Sequence, residues 1–208
     1  MLALHFTPFT SLYGLSMTRR LFTAVVAGAL LLTGCLIPER FNAKAIFQPD
    51  GAYSFSYIGT VAQPMAAMQL VRAGTLTAKE NESLARETAT FQRDPDVKKA
   101  NYLGNGRYEL VLESKRKKGE ALNVLGVLKV GTGKDGIITI ASGELDKNGK
   151  KQLSEMGIKL DGTLEVTLPK NAEVLSHNAT STPSFFGLLG SYSWKIGNID
   201  QRPLMKIR

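Results

Sequence analysis

The stretch Tyr53-Ser54-Phe55-Ser56-Tyr57 alternates aromatic and polar residues with a period of two. That is the period of an extended strand, so the three aromatics fall on one face and the serines on the other. An aromatic face has to be buried, which commits the chain to a sheet with one packed side. Just before it, Pro49-Asp50-Gly51 carries turn chemistry: proline presets φ and glycine accepts φ > 0. With Phe41 to Phe47 on the far side of that turn, the segment reads as a β-hairpin.

The same alternation returns downstream. Tyr108, Leu110 and Leu112 share a face, following the turn signal Gly104-Asn105-Gly106 that ends a strand running from Val97 to Leu103. Leu164, Val166 and Leu168 alternate with polar residues, as do Tyr192, Trp194 and Ile196, and a last strand is expected over Leu204 to Ile207. Ala121 to Val130 is apolar on both faces in Val124-Leu125-Gly126-Val127-Leu128 and reads as one central strand. It is followed by a turn over Gly131 to Gly136 and a strand over Ile137 to Ile140.

Two helices interrupt this pattern. Pro64 to Ala73 has proline near its start and Gly74 after its end. The next opens on the capping box Thr77-Ala78-Lys79-Glu80, carries Leu84, Thr88 and Phe91 at helical spacing, and stops before Asp94-Pro95. Met65 and Met68 are assigned to the core, an adaptable binding surface being the alternative. A short helix is expected over Lys150 to Met156. The fold class is therefore α+β, a largely antiparallel β-sheet with a two-helix insertion near residues 64–92 packing on one face.

The only cysteine, Cys35, excludes any disulfide within the chain. It ends Leu32-Thr33-Gly34-Cys35, which closes an apolar run from Leu21 to Leu32 preceded by Arg19 and Arg20. A positive start, a short apolar middle and a small-residue exit make a secretory signal peptide, and the run is too short for a spanning helix of about 20 residues. The four residues resemble the lipobox of bacterial lipoproteins. That resemblance implies cleavage before Cys35 and lipidation of its thiol by acyl chains such as palmitate. Leu36, where aspartate resembles an inner-membrane retention signal, makes the outer membrane the favoured location in a two-membrane cell. Thr18-Arg19-Arg20-Leu21-Phe22 also resembles a twin-arginine signal, with ordinary secretion preferred. The chain thus divides into residues 1–16, upstream of a preferred start at Met17; residues 17–34, the lipoprotein signal peptide; residues 35–40, a lipidated tether; and residues 41–208, a single α+β domain. Removing the leader takes two arginines and no acids, lowering the formal charge from +8 to +6. That basic excess suits anionic surfaces.

Three further stretches, the hairpin turning at Asp50-Gly51, Leu164 to Pro169 leading to Val174-Leu175-Ser176-His177-Asn178-Ala179, and Tyr192-Ser193-Trp194-Lys195-Ile196, are similar to LppM-type bacterial lipoproteins. That resemblance implies a membrane-tethered α+β domain that handles or senses lipid, without assigned catalytic residues.

Candidate contacts are two. Lys115-Arg116-Lys117-Lys118, at an expected hairpin tip, would either dock on anionic phospholipid or form a solvated strand end. Phe185-Phe186-Gly187-Leu188-Leu189-Gly190 would insert Phe185, Phe186, Leu188 and Leu189 into a bilayer or a partner's groove, or fold back to close the core. His177 has no second histidine in the mature chain and no cysteine for zinc, and Asp146-Lys147-Asn148-Gly149 is a plain turn lacking the acids of a calcium loop. No cofactor or metal is expected, and export disfavours nucleic acid. The leading expectation is a non-enzymatic envelope lipoprotein, tied to the membrane through Cys35, that binds an anionic lipid or an envelope protein. A structural subunit of an envelope complex comes second, and a hydrolase using His177 last.

Overall fold

A computed structural model describes residues 36–184, 190–197 and 202–208. The leader, Cys35 and the Phe185 to Leu189 segment lie outside the described residues. The chain is α+β, mostly β, with the helices in the middle of the sequence. A six-stranded sheet has the order β10-β8-β1-β2-β4-β3, and a five-stranded sheet the order β5-β6-β7-β11-β9. The first holds β1 (Ile37–Phe47), β2 (Tyr53–Ala62), β3 (Val97–Gly104), β4 (Arg107–Arg116), β8 (Asp161–Thr167) and β10 (Tyr192–Ile196). The second holds β5 (Leu122–Val124), β6 (Leu128–Thr132), β7 (Ile138–Ala141), β9 (Val174–His177) and β11 (Leu204–Ile207). Helices α1 (Pro64–Ala73) and α2 (Ala78–Phe91) follow β2, and α3 (Lys147–Glu155) follows β7.

The β1–β2 hairpin forms as its alternation requires, with Phe47 opposite Tyr53 and Gly51 at φ +83° in the turn. Phe41, Ala43, Ala45 and Phe47 point inward from β1, and Tyr53, Phe55 and Tyr57 from β2. The other neighbour of β1 is β8, paired in parallel from Arg40–Asp161 to Ile46–Thr167. Phe41 sits in register with Gly59 on one side and Gly162 on the other. A methyl group at Gly162 would come within 2.7 Å of the Phe41 ring, and one at Gly59 within 2.4 Å of the Arg40 carbonyl. The two glycines are the space into which this ring fits.

Inward residues of both sheets form one core: Tyr57, Tyr108, Leu110 and Leu164 from the first, and Leu128, Ile140 and Met205 from the second. Helix α2 covers the β3–β4 end of it. Thr77 and Glu80 make the reciprocal capping box, hydrogen bonds from Gln69 and Thr77 hold the Glu80 carboxyl below its ordinary range, and Phe91 meets Tyr108 edge-on at 5.1 Å. The buried Tyr108 hydroxyl lies 3.0 Å from the Leu84 carbonyl and 2.9 Å from the Glu87 carboxylate, and its single proton is shared between these acceptors.

Five expectations need correction. Residues 37–40, expected in the tether, are strand, because β1 already begins at Ile37. Ala121 to Val130 is not one strand but the hairpin β5–β6: Leu125 and Gly126, at φ +48° and +67°, turn the chain between Val124 and Val127. It lies at the sheet edge rather than the centre. Asp146 is no plain turn but the N-cap of α3, its carboxylate accepting from the Gly149 amide at 2.7 Å. Met68 packs on the core, but Met65 is 69% exposed. Lys115 and Arg116 belong to β4, and only Lys117 and Lys118 reach the turn.

Overpacking a filled core costs about 1–3 kcal/mol. Gly162→Ala is expected to fall in that range, and Gly59→Ala to cost more because its new methyl meets backbone rather than a ring. Urea titrations of both variants check the order; equal stabilities would show that Phe41 has room to shift. Burial also raises three phenols: Tyr53, whose hydroxyl donates to the Glu120 carbonyl at 2.7 Å, is pushed up to about 12, and Tyr57 and Tyr108 further still. Unfolded tyrosine ionises near about 10. The stability held by these neutral phenols is complete below that pH and is lost as pH rises through the folded values. Absorbance titration at alkaline pH should show these tyrosines ionising together with unfolding; their ionisation in the still-folded protein would contradict their burial.

Candidate functional site

An apolar cleft of about 410 Å³ opens at the beginning of β1. Leu36, Ile37, Pro38 and Phe41 form one wall, Leu125 to Val127 a second, and Leu153 of α3 with Met156, its C-cap, a third. Its volume lies within the roughly 300–1,000 Å³ of small-ligand sites.

Local structure explains each wall. In β1 the register against β2 shifts between Pro38 and Arg40, leaving Glu39 as the extra residue of a bulge. The bulge accommodates proline in a paired strand and turns the Glu39 carboxylate toward Arg107 of β4. The two form a bidentate ion pair, Nε to Oε2 at 3.0 Å and Nη2 to Oε1 at 3.1 Å. It pins the first residues of β1 across the intervening strand. In the β5–β6 turn, Leu125 is held in the left-handed region, where asparagine or glycine is the usual choice. Leu125 is nevertheless buried, its side chain spent on the cleft. The third wall is fixed by the C-terminus of α3. Gly157 takes φ +65°, its amide donates to the Ser154 carbonyl at 3.1 Å, and the Ile158 amide to the Leu153 carbonyl at 3.0 Å. This is a Schellman motif, and Leu153 and Ile158 make the apolar contact that accompanies it.

Backbone hydrogen bonds tie the segments around the cleft together. The Gly143 amide donates to the Gly126 carbonyl at 2.6 Å and Ser142 to Pro203 at 3.1 Å. A carboxylate in the lining, Glu144, is paired with Arg202 at 2.6 Å. What this arrangement offers chemically is a mostly apolar lining, with Ser142, Glu144 and Gln152 as its polar side chains.

The basic run is not one cationic patch. Arg116 pairs with Asp96 on the approach to β3, and the Lys117 amide donates to the Glu120 carboxylate at 2.9 Å. The Lys118 stem lies against Gly51 of the neighbouring turn, and Lys115 is exposed on the outer face of β4. His177 ends β9, its Nδ1 accepting from the Ala179 amide at 3.2 Å. Next to it, Asn178 joins three strands: its oxygen accepts from Trp194 Nε1 at 2.8 Å and the Leu204 amide at 2.9 Å, and its Nδ2 donates to the Arg202 carbonyl at 2.8 Å. Among the described residues, no group of three His, Cys, Asp or Glu is placed to hold a metal ion.

The sequence reading did not assemble the cleft, since its walls come from segments far apart in the chain. The one local signal is a leucine before glycine where a hairpin turn prefers asparagine. No protein-family model matches the chain, and no curated protein is similar to it.

Leu125→Asn should relieve backbone strain of about 1–2 kcal/mol while giving up side-chain burial of about 1.5–3 kcal/mol. A net loss of about 1 kcal/mol in chemical denaturation is the expected difference between those two effects. A gain in stability would mean that the side chain packs against little.

Proposed function

We propose that this protein is a lipid-anchored lipoprotein of the bacterial cell envelope, without enzymatic activity of its own, whose domain binds a lipid or protein partner at the membrane surface. The observation that supports this is the joint between leader and fold. Thr33-Gly34-Cys35 closes the apolar run, and Leu36, the very next residue, is buried at the lip of an apolar cleft. A mature protein starting at Cys35 has no spacer, so its acyl chains hold the domain at the bilayer surface. Two chains suffice for stable anchoring at about 0.8 kcal/mol per buried methylene. Leucine at position 36 supports the outer membrane as the site.

The basic balance of the mature chain adds a weaker, salt-sensitive attraction to anionic head groups. Lys115, Lys117 and Lys118 are the exposed members of the 115–118 run whose side chains make no ion pair among the described contacts, and they support this contact better than Arg116 does.

Growth with an alkyne-tagged palmitate should label the wild-type protein, and Cys35→Ser should abolish the label. The intact mass of membrane-derived protein should correspond to a chain starting at Cys35 plus acyl groups. A bare thiol, or a retained leader, would overturn the reading.

A further inference from the structure

We propose that the cleft between the two sheets houses one of the acyl chains carried by Cys35, an inference that rests on the lipoprotein reading above. Leu36, Ile37 and Pro38 belong to the cleft wall. Successive Cα atoms are about 3.8 Å apart, so the acylated residue is attached directly to that wall. The Glu39–Arg107 ion pair keeps this end of β1 from swinging away.

The chemistry of the cleft selects a hydrocarbon. Leu36, Phe41, Leu125, Val127, Leu153 and Met156 are all buried and face it, while the Val127, Ser142, Gly143 and Met156 amides are hydrogen-bonded within the protein. Among the described residues, none that lines the cleft is a cation, and the nearby Arg202 is engaged by Glu144. The strained Leu125 fits the same purpose: it places an alkyl group in the wall where the backbone would favour a polar residue or none.

The occupant is the protein's own chain rather than a lipid from outside because of attachment. A ligand joined by a very short linker sees its site at an effective concentration on the order of millimolar. A free fatty acid or phospholipid must compete against that concentration. The domain therefore carries one tail folded into itself, and the remaining acyl chains hold the bilayer.

The test uses cells fed a fatty acid with a diazirine near its methyl end. The acylated protein is purified, its anchor confirmed by intact mass, and it is placed in phosphatidylethanolamine–phosphatidylglycerol vesicles and irradiated. Adducts within the protein are expected on peptides containing Val127, Leu153 and Met156. Leu153→Trp, which fills the cleft, should lower them severalfold, whereas Met65→Trp on the exposed surface should not. Wild-type adducts confined to vesicle lipid would overturn the proposal while leaving the lipoprotein reading standing. Cleft labelling by an added photoactivatable phospholipid, with none from the anchor, would overturn it in favour of an external lipid. A Cys35 without acyl groups would overturn both readings, and the intact mass identifies that case before irradiation.

Discussion

The ring of Phe41 is the fixed point of this structure. β1 is hydrogen-bonded on both sides, to β2 antiparallel and to β8 in parallel, and at the level of Phe41 both neighbours present glycine. The ring fills the space those glycines leave, stacks on Tyr57 at 5.7 Å, and helps to line the apolar cleft. A side chain at either glycine would have to displace the ring or the β1 backbone. The strand nearest the expected anchor is thus also a central strand of the larger sheet, so a pull on the N-terminus is resisted by two ladders rather than by a loop.

The rest of the molecule supports that strand with local devices that each satisfy a backbone end. Glu80 and Thr77 close the front of α2, Asp146 caps the front of α3, and Gly157 ends α3 in a Schellman turn. Asn178 does for strands what these do for helices, since its one amide group gathers β9, the approach to β11, and the indole of β10. The Asp146 cap, the Gly157 turn and the Gly143–Gly126 hydrogen bond are the ones that hold α3 and the β5–β6 turn at the walls of the cleft.

Elements with a clean period or a chemically explicit end were legible in the sequence. Tyr53 to Tyr57 alternates, α1 and α2 carry proline, glycine and a capping box at their ends, and both helices run where those signals put them. The β5–β6 hairpin was not legible, because Val124 to Leu128 is apolar throughout and its turn uses Leu-Gly in place of Asn-Gly. Local pattern shows no difference between a buried strand and two short ones joined by an unusual turn. The parallel pairing of β1 with β8 was hidden for another reason: its partners, such as Phe41 and Gly162, are about 120 residues apart, and a single sequence carries no local trace of such contacts. The Arg116–Asp96 pair was hidden likewise, so a run of four cations looked more uniform than it is.

On the proposed reading, the energetics of the cleft show how one apolar site would receive a chain of the anchor. A methylene removed from water gains about 0.8 kcal/mol whether it enters a bilayer or a protein interior. Moving an acyl chain between the membrane and the cleft therefore exchanges one apolar surrounding for another, and the large transfer energies cancel. What remains is packing against Leu125, Val127 and Leu153, together with the conformational freedom that the chain loses on entering a fixed cavity. Those residual terms, together with the short link to Cys35, decide the balance: in a bilayer the link would favour the cleft, and away from one the alternative to the cleft is water and the cleft would prevail again. On the proposed reading, what tips that balance inward is the position of Leu36, next to Cys35 in the chain and buried at the cleft's edge.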